Sequence, residues 1–216
     1  MDAQATVQVG PCARGGTSRT LVTAADHDGA PDATLTPVGL CLPASDARFL
    51  YGVTAQVTSA CLVARLGQWW DTVCERYAHS TTLVIRLDNG PENHRRRTQF
   101  RQRLVDCVQR YRVNLRLAYS PPYQSQYNPI ERCWGIRETH WHGTFLAAIA
   151  AVLQCARPMT WKGTHPGVAL VTTTYQTGVK LTAEAMDLVA AQIKRLPLLG
   201  KWFVDIGPAP PSLWAS

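Results

Sequence analysis

The chain has 216 residues, 46% of them hydrophobic and 17% charged, with a net charge of +7. That composition marks a globular rather than a disordered chain, and no run approaches the roughly 18 uninterrupted apolar residues of a membrane span. Seven scattered cysteines without a C-x-x-C pair leave no zinc ribbon and no disulfide framework, and the opening "MDAQATVQVG" lacks the regions of a signal peptide, so a cytoplasmic location is expected.

Residues 3–9 alternate loosely and read as the end of a strand, stopped by Gly10 and Pro11. "ARGGTSR" at 13–19 is a flexible basic loop whose glycines lack phosphate-loop spacing. Short strands are predicted over 20–23, 38–42 and 48–53, separated by Gly, Pro and Asp. A helix comes next, with Leu62, Leu66, Trp69, Trp70, Val73 and Tyr77 on one stripe and Thr58 or Ser59 as its N-cap.

Leu83, Val84, Ile85 and Leu87 then form a strand that ends on Asp88 and breaks into Asn-Gly-Pro. The residues beyond this turn supply no hairpin partner. Phe100, Leu104, Cys107, Val108 and Tyr111 recur at helical spacing, which predicts a helix over 95–112. A strand over Val113, Leu115, Leu117 and Tyr119 comes after it. Asp88 therefore stands at the carboxyl end of a strand, where open α/β sheets place ligands and chemistry. An aspartate there also serves as an ordinary turn residue.

"SPPYQSQYNPIERCWG" starts another helix, with Asn128 at the N-cap, Pro129 at N1 and Glu131 at N3. Glu131 could there complete a capping box with Asn128. The rest is expected to be mainly helical, notably over 145–157 and 183–196, before an apolar "KWFVDI" and a disordered Pro-rich tail from 207 to 216. His140 and His142 make only a weak H-x-H pattern. One domain over 1–206 is expected.

Charge is concentrated. Arg86, Arg95, Arg96, Arg97, Arg101, Arg103, Arg110, Arg112 and Arg116 face only Asp88, Glu92 and Asp106, a local +6 in one strand-helix-strand unit. Such a patch beside a candidate site is the footprint of a polyanion partner. A solvated arginine-rich helix face is the plainer alternative.

The element order is three short strands, helix, strand, helix, strand, helix. It is that of an α/β ribonuclease-H-like fold, a mixed sheet flanked by helices, here with a mainly helical C-terminal extension. Catalytic carboxylates in that fold come from the first strand, the fourth strand and a late helix. Asp88 ends the fourth strand, and Glu131 opens the helix after the fifth.

"LDNGPENHRRRTQF", "PPYQSQYNPIERCWG", "MTWKGTHP", "TYQTGVKLT" and "LPLLGKWFV" together closely resemble the Rhodopirellula-type DDE transposases, the ISAzo-thirteen-like insertion-sequence family. The resemblance runs from about residue 2 to 206. It implies a catalytic core with three metal-binding acids, of which the second falls on Asp88 and the third on Glu131. "MDAQATVQVGPCARGG" resembles the family's first catalytic strand and puts the first acid on Asp2, ahead of Asp26 and Asp28 in "AADHDGAP".

The implied chemistry is metal-dependent DNA cleavage and strand transfer, with element ends and target DNA as partners. Two Mg²⁺ ions about 3.5–4 Å apart, or Mn²⁺ in their place, would be held by the three carboxylates. Water attacks in cleavage and the freed 3′-hydroxyl attacks in joining. Arg95, Arg96, Arg97, Arg101 and Arg103 would bind DNA, and a homo-oligomer is expected of the full-length protein. The alternatives are a nuclease of the same fold that only hydrolyses, and a remnant that binds DNA without cutting it. The family carries a region before the first catalytic strand, including an expected helix-turn-helix. This chain begins one residue before Asp2, so the expectation is a truncated form, inactive or weak by itself.

Overall fold

Strand β3 (Ala33–Leu42) is the spine of the first of two sheets. On one edge it pairs antiparallel with β4 (Ala47–Val53), from Thr36 opposite Val53 to Leu42 opposite Ala47. On its other edge lie two short strands, β1 (Asp2–Ala3) and β2 (Val7–Val9). Asp2 sits opposite Gly39 and Val7 opposite Leu35, so the edge carries one more residue between these pairs than β3 does. The break has a cause. Pro37 accepts the Gln4 N–H at 2.9 Å through its carbonyl but has no N–H to return. The single strand end expected over 3–9 is therefore split in two.

This computed structural model describes residues 1–10, 30–88, 93–94, 97–121 and 128–208. They fall into two compact units, Met1–Val57 with Gln126–Thr174, and Thr58–Ser125 with Tyr175–Ser216. The predicted strand over 20–23, Asp26, Asp28, Arg95, Arg96 and the tail beyond 208 lie outside the described residues. Among the described residues no helix is long and apolar enough to cross a membrane.

The first unit adds β7 (Gly167–Val171), parallel to β4, and two helices, α3 (Pro129–Trp141) and α4 (Ile149–Ala156). Val9, Leu35, Trp141, Leu146, Val152 and Leu153 form its apolar cluster. Nearby, α3 lies so close to β3 that a Cβ on Gly39 would stand 2.6 Å from the Trp134 ring and 2.7 Å from Ile130 Cδ1. Only glycine admits the helix at that depth.

The second unit begins with α1 (Ser59–Val73), whose N-cap Thr58 accepts the Cys61 N–H at 3.2 Å, and whose Leu62, Leu66, Trp69 and Trp70 are buried. Strand β5 (Thr82–Leu87), helix α2 (Thr98–Tyr111) and strand β6 (Asn114–Tyr119) form a parallel βαβ unit. Leu83, Ile85 and Leu87 pair with Leu115, Leu117 and Tyr119, the alternation predicted for both strands. Helix α2 starts three residues later than the predicted 95. Arg97, still extended at φ −69° and ψ 113°, is its N-cap. Its periodic apolar residues begin only at Phe100, so packing gives no reason for Arg97 to be helical. Arg112 ends it in the left-handed conformation, φ 53°.

The expected mainly helical C-terminal extension is instead mixed. Helices α4 and α5 (Ala183–Ala191) are short, and the helix predicted over 183–196 gives way to β8 (Ile193–Arg195). "KWFVDI" supplies β9 (Phe203–Ile206), which pairs antiparallel with β6 and with β8. The second sheet thus runs β5-β6-β9-β8. Across the β6–β9 ladder Arg116 grips Asp205 with two hydrogen bonds of 2.7 and 2.8 Å, which holds the Asp205 carboxyl below its ordinary range. Short apolar runs such as 167–171 and 203–206 do not distinguish strand from helix by periodicity; pairing with β4 and β6 decides them.

Gly39→Ala is expected to destabilise the fold by about 1–3 kcal/mol, because the added methyl must push Trp134 and Ile130 outward. Denaturant unfolding of the two proteins measures the difference, and equal midpoints would contradict the close seating of α3.

Candidate functional site

Helix α3 carries one candidate acid and holds another. Asn128 occupies its N-cap position and Pro129 its first turn, as predicted. The Asn128 side chain, however, makes no capping bond: it is buried, and its Nδ2 finds no partner among the described residues. The turn is closed by backbone instead, the Glu131 N–H donating to the Asn128 carbonyl at 3.0 Å. Glu131 lies half-buried in the first turn, where a carboxylate also meets the positive end of the helix dipole.

One turn on, the Trp134 indole N–H donates to Asp2 Oδ2 at 3.0 Å. Asp2 is buried, 7% exposed, and its Oδ1 accepts the Ala3 N–H at 2.8 Å. A carboxylate removed from water requires such donors. The structure therefore brings Asp2 onto the helix that bears Glu131, and the link is a tryptophan.

Behind Trp134 the same face continues with Arg137 and Trp141. Arg137 is buried, with its guanidinium 5.1 Å from the Trp134 ring centre and 4.2 Å from that of Trp141. Glu138 accepts from Arg137 Nη2 and, at 2.9 Å, from Trp141 Nε1. The Gln4 amide also reaches Glu138, at 3.4 Å. A buried guanidinium between aromatic faces is stabilised by their quadrupoles and by its carboxylate partner. Ile130, Trp134, Arg137 and Trp141 recur at intervals of four, three and four, a helical stripe the sequence displays. Its role in holding Asp2 was missed, because nothing local links residue 134 to residue 2.

Asp88 comes directly after β5 in the second unit and is exposed. Its Oδ1 accepts from Nδ2 of the buried Asn93 at 2.9 Å. Asn93 was likewise not anticipated; an amide five residues beyond an aspartate is an ordinary loop feature until the turn brings them together. Among the described residues no group of three or more His, Cys, Asp or Glu side chains is assembled as a metal site. Asp2 and Glu131 belong to the first unit and Asp88 to the second. All three offer carboxylate oxygen, the donor type a hard cation such as Mg²⁺ takes.

The candidate DNA-binding arginines that are described all lie in the second unit. Arg97 and Arg103 are exposed and Arg101 is half-buried, all three at the start of α2. No side chain caps that helix start, and its first turn holds no acid. Arg103 lies 3.6 Å from Asp106. Further along, Arg110 lies 3.7 Å from Asp71 of α1.

Trp134→Phe should keep the ring against Gly39 but remove the donor to Asp2. Leaving a buried carboxylate short of one hydrogen bond costs about 1–3 kcal/mol. A double-mutant cycle with Asp2→Ala should recover most of that as coupling. A coupling near zero in denaturant unfolding would refute the bond.

No curated protein and no solved structure matches the chain. Residues 1–208 match the family described as the Rhodopirellula transposase DDE domain. That family implies a ribonuclease-H-like fold, DNA as substrate and divalent metal ions in general. The mixed α/β architecture accords with it. With the match covering nearly all of its length, the chain belongs to the Rhodopirellula-type DDE transposases.

Proposed function

We propose that the chain is the catalytic domain of an insertion-sequence transposase, cutting DNA at the element's ends and joining the freed 3′-hydroxyl to target DNA. The observation that carries this reading is the family match over residues 1–208. In this reading Asp2, Asp88 and Glu131 act together as the acids of the DDE set and would hold Mg²⁺ or Mn²⁺. When bound there, such an ion lowers the pKa of attacking water and stabilises charge on the phosphate. The residues divide the remaining tasks. Trp134 and the Ala3 N–H orient the Asp2 carboxylate, and Asn93 orients that of Asp88.

DNA phosphates fall to the basic start of α2. Arg97, Arg101 and Arg103 lie at an N-terminus that lacks a side-chain cap and an acid, and Arg95 and Arg96 precede them in the sequence. Uncapped N–H groups and guanidinium groups at one helix end make a phosphate site. These contacts go to backbone phosphates, so they bring affinity without sequence preference.

The test is an assay of cleavage and joining on DNA carrying the sequences that flank the protein's own gene. Asp88→Asn and Glu131→Gln should each lower both steps by more than about 100-fold, the loss that even an outer partner of a metal ligand can cause. Cleavage without joining would replace this reading with a hydrolytic nuclease. DNA binding with neither step would leave a non-catalytic DNA-binding protein.

Binding to arbitrary duplex DNA should weaken steeply with salt, the logarithm of affinity falling by about 0.9 per phosphate contact for each tenfold rise. Replacing Arg97, Arg101 and Arg103 by Ala should flatten that slope by up to about three contacts. A slope unchanged by the triple substitution would remove α2 from the DNA interface.

A further inference from the structure

The block "MTWKGTHP" has no task in the transposase reading. It folds as a two-residue hairpin. The Trp161 N–H donates to the Thr164 carbonyl at 3.1 Å, and the Thr164 N–H donates to the Trp161 carbonyl at 2.9 Å. Lys162 at φ 47° and Gly163 at φ 78° are both left-handed, as the tightest hairpin turn requires. Lys162 also reaches Asp46, on the connection between β3 and β4, at 3.2 Å. The hairpin is thereby tied to the first sheet, with the Trp161 ring centre 5.1 Å from the Arg48 guanidinium.

Arg48 stands directly across the ladder from Cys41, which is two residues beyond Gly39 on β3. These three positions share one face of the sheet, and Gly39 meets Ile130 and Trp134 of α3. Arg48 therefore lies under α3, in a cleft walled by Ile130, Trp134, Ile136, Met159 and Trp161. All of these residues belong to the first unit. Arg48 is only 9% exposed, and its Nη2 has no hydrogen-bond partner among the described residues. The groups near it in the fold do not fill that role. Asp46 is held by Lys162, and a cysteine sulfur such as that of Cys41 is a weak acceptor. Arg137 also borders the cleft, but its guanidinium is joined to Glu138.

We propose that this cleft binds a small carboxylate, with its charged end on Arg48 and a short apolar body against the surrounding side chains. The inference stands on the cleft and on no part of the transposase reading. A buried guanidinium favours an anion beside it, because an unpaired charge removed from water is costly. The walls decide which anion. Phosphate or sulfate would give up strong hydration for apolar side chains, whereas a carboxylate carries one charge and an apolar part that those walls accept. Size narrows the class further. The cavity volume is about 30 Å³, room for a group of one or two waters and too little for a nucleobase. The ligand is therefore a short aliphatic acid.

Saturation-transfer NMR on the full chain, with propionate as the probe, tests the site. The propionate signal should saturate with concentration. Its binding should be at least about tenfold tighter than that of propionamide, which has the same body without the charge, because a hydrogen bond to a charged group separates the two. Equimolar chloride should not displace it. Arg48→Met, which keeps the length of the side chain without its charge, should abolish propionate binding in a protein with unchanged circular dichroism. The comparison of propionate with propionamide needs no substitution, so it decides the matter even if Arg48→Met fails to fold. Equal binding of the two probes, displacement by chloride, or binding that survives in Arg48→Met would overturn the assignment. So would the absence of saturable binding, which would leave water as the partner of Arg48.

Discussion

The depth at which α3 sits on β3 is the constraint on which the first unit's chemistry depends. Gly39 removes the side chain that would hold the helix away. The Trp134 ring can then lie against the strand and reach past it to Asp2, which pairs with Gly39 from the next strand. A larger residue at 39 would move the ring, and with it the indole donor to that carboxylate. The hold on Asp2 thus depends on one missing methyl group.

The two candidate acids Asp2 and Asp88 sit in different settings. Asp2 is buried, with donors from the backbone and from α3 on its two oxygens. Asp88 is exposed and steadied by one buried amide. Burial fixes a side chain by packing but raises the cost of its charge, which the hydrogen bonds offset. An exposed strand end leaves the charge hydrated and the carboxylate accessible. The strands involved, β1 and β5, each lie at an edge of their own sheet, where backbone groups lack one neighbour.

Arginine serves two purposes in this chain. The stripe of α3 that meets the core includes one arginine, and that arginine is sandwiched by tryptophans and joined to Glu138. Arg103 and Arg110 of α2 are instead exposed, beside Asp106 and Asp71. A guanidinium can serve either role because its planar, weakly hydrated group stacks on rings as readily as it binds phosphate. Which role it takes is decided by what the helix packs against.

Much was legible in the sequence alone. Alternation marked β5 and β6, a hydroxyl at Thr58 or Ser59 marked the start of α1, and Asn128-Pro129 marked the start of α3, because these are local preferences of backbone and side chain. The motif blocks identified the family and pointed to Asp88 and Glu131. Only the tertiary structure decided the rest. The strands at 167–171, 193–195 and 203–206 exist because β4, β6 and one another supply their ladder partners, and no short apolar run announces its partner. The Trp134–Asp2 bond joins residues 132 positions apart. Sequence carries the periodicity of each element, but which side chains meet is set by how closely two elements can approach, and here a single glycine governs that distance.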